Sequence, residues 1–260
     1  MTISLYERMQ RYEAISNNLL VPKLPIIAKC NIRNFTRMIR KLSRPYDSEL
    51  WTILRNTMHD TVMELESAVF AYQQHGEICY VLKTNDDDGP GPYGGNSQKI
   101  VSVISSLTTV NFIKNFLASD EPPDIIGEGI FECFTFNVPF SSEVVNYLIY
   151  QQQQCQKYAI SAAAEEELSR VIENIDFLNK RTTEEKKELL ETECGIIFNN
   201  SYNQFFRLGS CSFKTPRIIN EIARKKWFLE TNAPYFINEK EFVLNIINTG
   251  QDIFRHERDM

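Results

Sequence analysis

With 260 residues, 43% of them hydrophobic and 24% charged, the chain has material for one large core or for a body with an appendage. Ten glycines, ten prolines and the lack of any long segment dominated by one polar residue type exclude collagen-like, low-complexity and disordered architectures. A net charge of −6 removes whole-body attraction to nucleic acid or to an anionic membrane, so an RNA contact needs a local basic patch. Residues 37–44 and 224–226 are the candidates for such a patch, and the plainer account of each is a solvated helix face.

In chain order, the charged and amphipathic start does not read as a signal peptide. The apolar stretches 100–107 and 130–138 break well short of the roughly 20 residues that a membrane-spanning helix needs, so no membrane partner is expected. The Ile-rich run 23–31 predicts a buried strand. Leu50, Leu54, Met58, Val62 and Leu65 then recur every three or four positions, which predicts a long amphipathic helix capped by Ser48. Runs 68–72 and 77–83 predict two strands joined as a hairpin through 73–76, and the glycines and prolines of 85–96 predict a loop. A helix over 97–117, a Pro-rich connector, a strand over 131–138 and a helix opened by Ser141 and Ser142 complete the series.

The order strand, helix, strand, strand, helix, strand, helix predicts an α+β protein: a polymerase-palm-like, ferredoxin-like antiparallel sheet covered by helices on one face. From about Ala162 the chain turns charged and helical, and Thr182 with Glu185 forms a capping box for a helix that stops at Gly195. The expected division is a palm-like domain over 1–160 and a C-terminal helical and β extension over 161–260 packed on it, or one continuous domain.

Six cysteines, Cys30, Cys79, Cys133, Cys155, Cys194 and Cys211, contain no C-x-x-C pair and predict buried thiols in a reduced, cytoplasmic protein without a zinc site. Serine-hydrolase, zinc-protease, P-loop and dinucleotide-binding motifs are missing. His59, His75 and His256 have no nucleophile pattern around them, and His75 reads as a surface turn residue. The glutamines 151–154 suggest no chemical role.

Several segments carry a resemblance. Leu5-Tyr-Glu-Arg-Met-Gln-Arg-Tyr-Glu13 is similar to D-R-M-K-R-Y-E, and Arg33-Asn-Phe35 sits where R-L-D-G-R-N-F ends. Ala71-Tyr-Gln-Gln-His-Gly-Glu77 is similar to A-Y-x-Q-S-D-E, and Asn96-Ser-Gln-Lys-Ile-Val-Ser-Val103 to N-x-Q-K-x-V-S-V. Val144-Val-Asn-Tyr147 with Gln152 and Gln153, then Gly195-Ile-Ile-Phe-Asn-Asn200 and Arg207-Leu-Gly209, continue the series in order and nearly in register to about residue 245. Together they resemble the tRNA-His guanylyltransferase family, in particular its bacterial and archaeal branch of guanylyltransferase-like 3′-to-5′ polymerases.

The resemblance implies a palm that adds nucleotides to the 5′ end of tRNA with ATP, GTP and two magnesium ions, whose ligands are the Asp and Gly carbonyl of D-G-R-N-F and the Asp of S-D-E. This chain has Asn31, Ile32 and Gly76 at those places, and Glu77 is the only retained family carboxylate. Glu132 stands at the Asp of the family's F-D-A-R-V strand, Phe134 at its Arg, and Gln151 replaces the Arg of W-R-Q-Q. Loss of two formal charges leaves little for magnesium, which dehydrates reluctantly and wants hard anionic oxygens.

Arg33, Asn34, Phe35, Asn96 and Lys99 survive, either as a residual nucleotide pocket with Arg33 and Lys99 on phosphates, or as residues that shape turns, caps and the sheet face. Asp86, Asp87 and Asp88 are replacement metal ligands on one reading and a solvated loop on the other. The favoured expectation is a catalytically degenerate relative that binds a nucleoside triphosphate, tRNA-like RNA or an active paralogue, with no cofactor. The alternatives are an active nucleotidyltransferase whose magnesium site is rebuilt from Glu77, Glu132 and the acidic loop, and a purely structural subunit of a dimer or tetramer.

Overall fold

Alternation along Ile26–Ile32 (β1) decides both faces of the sheet. Ile26, Ala28, Cys30 and Ile32 enter one apolar core, so Lys29 and Asn31 are turned to the opposite face, as successive strand residues must be. The computed structural model describes residues 3–15, 17–65, 67–83, 91–125, 129–219 and 222–251, with backbone alone at 217–219 and 222–224. Asp86, Asp87, Asp88 and His256 lie outside the described residues.

β1 pairs antiparallel with Glu77–Leu82 (β3) on one side and Phe131–Asn137 (β4) on the other. Ala68–Gln74 (β2) joins β3, Ser210–Ile219 (β5) joins β2, and Ile222–Glu230 (β6) joins β5, in the order β4-β1-β3-β2-β5-β6. The hairpin closes through His75 and Gly76 alone, a tighter turn than the sequence suggests, because Gln73 and Gln74 continue β2.

The N-terminal helix Leu5–Ala14 (α1) has its capping box on Ser4 and Glu7 and buries none of its residues. Phe35–Ile39 (α2) is a short helix after β1. Ser48–Glu64 (α3) and Ser97–Leu117 (α4) cover one face of the sheet with Leu50, Leu54, Met58, Val62, Ile100 and Ile104. The cap of α3 is Asp47, whose Oδ1 accepts from Leu50 N at 2.9 Å, and Ser48 is the first helical residue. α4 is long and apolar enough to cross a membrane by length and composition, yet it carries Thr108 and Asn111 into the core on its inner side.

Ser141–Leu168 (α5) spans 28 residues, so the division at residue 160 falls inside one helix. Its first half, with Val144, Val145 and Leu148, packs with Lys240–Thr249 (α9) on the second sheet face against Tyr72, Val81 and Phe213. That face is therefore partly covered as well. The second half of α5 packs through Ala159, Ala163 and Leu168 with Thr183–Cys194 (α6), Phe198–Ser201 (α7) and Gln204–Leu208 (α8). The Thr182 and Glu185 capping box and the Gly195 stop of α6 are present as the sequence indicates.

Gln152, buried on the inner side of α5, closes this arrangement. Its Nε2 donates to the carbonyls of Leu208 at 3.2 Å and Pro234 at 2.8 Å, and its Oε1 accepts from Phe236 N at 2.9 Å. A buried amide that satisfies three backbone groups on two segments is the role that the glutamine run did not reveal. Gly209 joins α8 to β5 at φ 78°, ψ −168°, a region open essentially to glycine, and an added Cβ would run into the Gln73 carbonyl oxygen and lie 2.8 Å from Tyr72 Oη. Gly209→Ala is expected to lower the unfolding free energy by about 3 kcal/mol in urea denaturation, from backbone strain plus the clash; a loss below 1 kcal/mol would show that this junction yields.

Candidate functional site

At the end of β1 the ladder sets Asn31 between Glu77 on β3 and Glu132 on β4, with all three on the face opposite α3 and α4. The backbone there is anchored by Ile32 N to Gly76 O at 2.8 Å and Arg33 N to Ile130 O at 2.9 Å. The three positions that the sequence singled out thus stand side by side, although 100 residues of chain separate the outermost.

Each carboxylate has a cation of its own. Lys29, two residues before Asn31 on the same face, puts Nζ 2.7 Å from Glu77 Oε2, with both side chains mostly buried. Gln74 Nε2 donates to the same oxygen at 2.7 Å and to Gln151 Oε1 at 3.4 Å. Glu132 lies 3.7 Å from Arg33 Nε, an exposed pair worth little by itself. Phe134 stacks with Phe136 and lies 6.0 Å from the Lys29 ammonium. The buried oxygens Asn31 Oδ1 and Gln74 Oε1 have no hydrogen-bond partner within the protein, a costly state that leaves two acceptors aimed at this patch.

Phe35 lies over Gly76. A Cβ at residue 76 would sit 2.5 Å from Phe35 Cγ and 2.9 Å from Cδ1, so the ring fills the space that a side chain there would need. Asn34, at φ 58°, turns the chain into α2, and its carbonyl accepts from Arg37 N and Met38 N. Arg33 and Asn34 are exposed at the edge of the patch. Asn96 instead caps α4, with Oδ1 accepting from Lys99 N at 2.9 Å, and its Nδ2 donates to Asn17 Oδ1. Asn96 and Lys99 do not line the cavity described next, so the structure brings together only part of the predicted set.

Beside the patch is a cavity of about 650 Å³ between the end of β1, α2, residues 42–47, α3, the hairpin turn and α5. That volume suits one nucleotide-sized ligand. Phe35, Tyr46, Trp51, His75 and Tyr158 form aromatic walls, Arg40 and Arg44 contribute cations, and Asp47, Glu77 and Glu165 contribute carboxylates. The basic run 37–44 was visible in the sequence, but its position over a cavity was not. Trp51, Tyr158 and Glu165 were missed because they come from helices whose relative rotation no local pattern encodes.

His75 is a turn residue as the sequence suggests, but its ring is not a free surface group. It packs edge-on against Trp51, Tyr158 and Phe206, and Nε2 donates to the Cys155 carbonyl at 3.1 Å. Burial lowers its pKa from 6.5 to about 4, partly opposed by that hydrogen bond, so it is neutral at physiological pH. Burial also pushes the Cys79 and Cys155 thiols up to about 12, so both are neutral at physiological pH.

The donor set does not fit the two-magnesium arrangement that the resemblance implies. It offers one uncharged amide at 31, no side chain at 76 and one carboxylate already paired with Lys29. Among the described residues, no group of three or more His, Cys, Asp or Glu gathers to hold a metal.

The family profile described as Thg1, tRNAHis guanylyltransferase, matches residues 6–147. The tRNA(His) guanylyltransferase 1 of Arabidopsis thaliana is 25% identical over 222 residues, which is 80% of this chain and 37% of that protein. The tRNA(His) guanylyltransferase 2 of the same plant is 25% identical over 195 residues, 71% of this chain and 34% of that protein. The chain therefore spans little more than a third of the length of these curated relatives. A bacterial tRNA(His) guanylyltransferase (Thg1)-like protein in complex with ATP superposes with a TM-score of 0.80 at 24% identity, over 94% of this chain and 99% of that one. One in complex with GTP gives 0.76 at 22% identity over 94% and 99%. The Saccharomyces cerevisiae enzyme gives 0.70 at 17% identity over 90% and 99%. At these identities the superpositions establish a shared fold.

Two outcomes follow from the site geometry. Gly76→Asp is expected to destabilise the protein by about 1–3 kcal/mol, because the carboxylate must displace the Phe35 ring, and to gain no magnesium affinity by titration calorimetry; tight magnesium binding by this single variant would contradict the packing argument. His75 binds its proton less readily folded than unfolded, so its contribution to stability is present above pH 6.5 and is lost as pH falls toward 4, by up to about 3 kcal/mol. Urea denaturation at pH 7 and pH 4.5 should show a smaller acid loss in His75→Asn than in the parent, and an equal loss would assign the acid sensitivity to other groups.

Proposed function

This chain belongs to the tRNAHis guanylyltransferase family, and from that premise we propose that it is a catalytically degenerate member that keeps the palm as a nucleotide-binding module. The observation that carries this reading is the state of the former metal positions: Asn31 adds no charge, Gly76 lies under Phe35, and Glu77 is held by Lys29. The neighbouring cavity, by contrast, has the volume, the aromatic walls and the guanidinium groups that suit a nucleotide. ATP and GTP complexes of bacterial proteins with the same fold support a nucleotide as its occupant.

In this reading the base lies against the aromatic walls of Phe35 and Tyr46, where flat rings gain contact area and stacking. The guanidinium groups of Arg40 and Arg44 take the phosphates through charge-assisted, two-pronged hydrogen bonds, which need no metal bridge. Arg33 supplies a further cation once it leaves Glu132, whereas Lys99 stands apart from the cavity. No cofactor is required. Magnesium belongs only to the alternative, an active 5′-nucleotidyltransferase in which Glu77 and Glu132 abandon Lys29 and Arg33 to share metal ions.

A tRNA-like RNA or an active paralogue fits the same module, because the exposed basic run 37–44 borders the cavity in a chain that is otherwise acidic. Leu5, Tyr6, Met9 and Tyr12, all exposed on α1, favour the oligomer-subunit reading as a second role. A cytoplasmic location is consistent with six free thiols.

Calorimetric titration of GTP and ATP, first with magnesium and then with chelator, tests the proposal. Binding of equal strength in both conditions is expected, together with a roughly tenfold loss of affinity in Arg44→Ala, about 1.4 kcal/mol. Binding that requires magnesium would transfer the protein to the active-enzyme reading. The absence of any binding would overturn the nucleotide reading.

A further inference from the structure

Two cysteines face each other behind the candidate site. The β1–β4 ladder sets Cys30 directly opposite Cys133, and both side chains point to the core beneath α3 and α4. Directly opposed residues of antiparallel strands have Cα atoms about 4.5 or 5.5 Å apart, and either spacing lies inside the window that a disulfide spans. The two thiols are close enough to interact with each other. Of the described cysteines, no others are paired this way. Cys79 is opposed by Lys29 and Tyr72, Cys211 by Tyr72 and Glu230, and Cys155 and Cys194 lie on helices.

The two members differ in access. Cys30 is fully buried, whereas Cys133 is half-buried on β4, which stands at the edge of the sheet. A small oxidant can therefore reach Cys133 first, while Cys30 waits behind it. This is the order that a reactive and a resolving thiol require.

We propose that Cys30 and Cys133 are a peroxide-responsive dithiol, which closes to a disulfide tying edge strand β4 to β1 immediately beside Asn31 and Glu132. The Cys133 sulfur attacks hydrogen peroxide, the O–O bond breaks, water leaves with the thiol proton, and a sulfenic acid remains. The Cys30 sulfur then attacks the Cys133 sulfur; the S–S bond forms, the S–O bond breaks, and a second water departs with the Cys30 proton. In total the two thiols lose two electrons and two protons, and one peroxide is reduced to two waters. The bond closes a loop that contains α3, the β2–β3 hairpin and α4, so the oxidised chain has less entropy to gain on unfolding.

The test treats the native full chain with excess hydrogen peroxide, removes it, and alkylates under denaturing conditions. Four titratable thiols in place of the six in the sequence are expected, with a Cys30–Cys133 cross-link in the unreduced digest, a raised melting temperature, and reversal by dithiothreitol. Cys133→Ser should keep its remaining thiols, and Cys30→Ser should stop at a Cys133 sulfenic acid trapped by dimedone. Six surviving thiols, a cross-link between other cysteines or between chains, or unchanged thiol loss in Cys133→Ser would each overturn the proposal. None of these readouts depends on nucleotide binding, so the result stands apart from the functional reading above.

Discussion

The alternation of β1 is the constraint on which the other features rest. Burying Ile26, Ala28, Cys30 and Ile32 beneath α3 and α4 leaves no choice about Lys29 and Asn31, which must emerge on the second face. A slip of one residue would carry Lys29 and Asn31 into the apolar core beneath α3 and α4 and turn Ile26, Ala28, Cys30 and Ile32 out of it, so the register is strongly held. Everything at the site follows from this register. Glu77 and Glu132 flank Asn31 because they are its ladder partners, and Lys29 reaches Glu77 because it shares their face.

Around that face the protein uses polar side chains as structural ties. Gln74 and Gln151 meet above Glu77, and Gln152, one residue further along α5, satisfies backbone groups of the 208 and 234–236 segments. Buried amides of this kind contribute only modestly when paired and cost heavily when a partner is removed. They therefore bind α5 to the sheet in one orientation. The same helix then delivers Tyr158 and Glu165 to the cavity, so the packing of the second face and the shape of the pocket are coupled.

Much of the architecture was legible locally. The spacing of Leu50, Leu54, Met58, Val62 and Leu65 placed α3, and Thr182 with Glu185 placed the start of α6, since helix periodicity and caps are short-range properties. The choice between Asp47 and Ser48 as the cap of α3 was not legible, because both residue types cap well and only the backbone path selects one. His75 shows the same limit from another side: a histidine beside glycine in a tight turn reads as exposed, yet three aromatic rings from distant segments enclose it. Asn96, equally plausible as a ligand contact or a helix cap, is a cap of α4.

The sequence by itself determined the order of the main strands and helices from β1 to α5, the bounds of α6, the family, and the absence of carboxylates at positions 31 and 76, because these are properties of residue identity and of spacing along the chain. Only the tertiary structure decided what fills the places those carboxylates leave. The Phe35 ring over Gly76, the Lys29–Glu77 pair, the Arg40 and Arg44 rim of the cavity and the Cys30–Cys133 apposition are all contacts across the fold. The physical reason is that side-chain periodicity encodes which face a residue takes, whereas the neighbour it meets there depends on strand register and helix rotation, which the packing of the whole core settles.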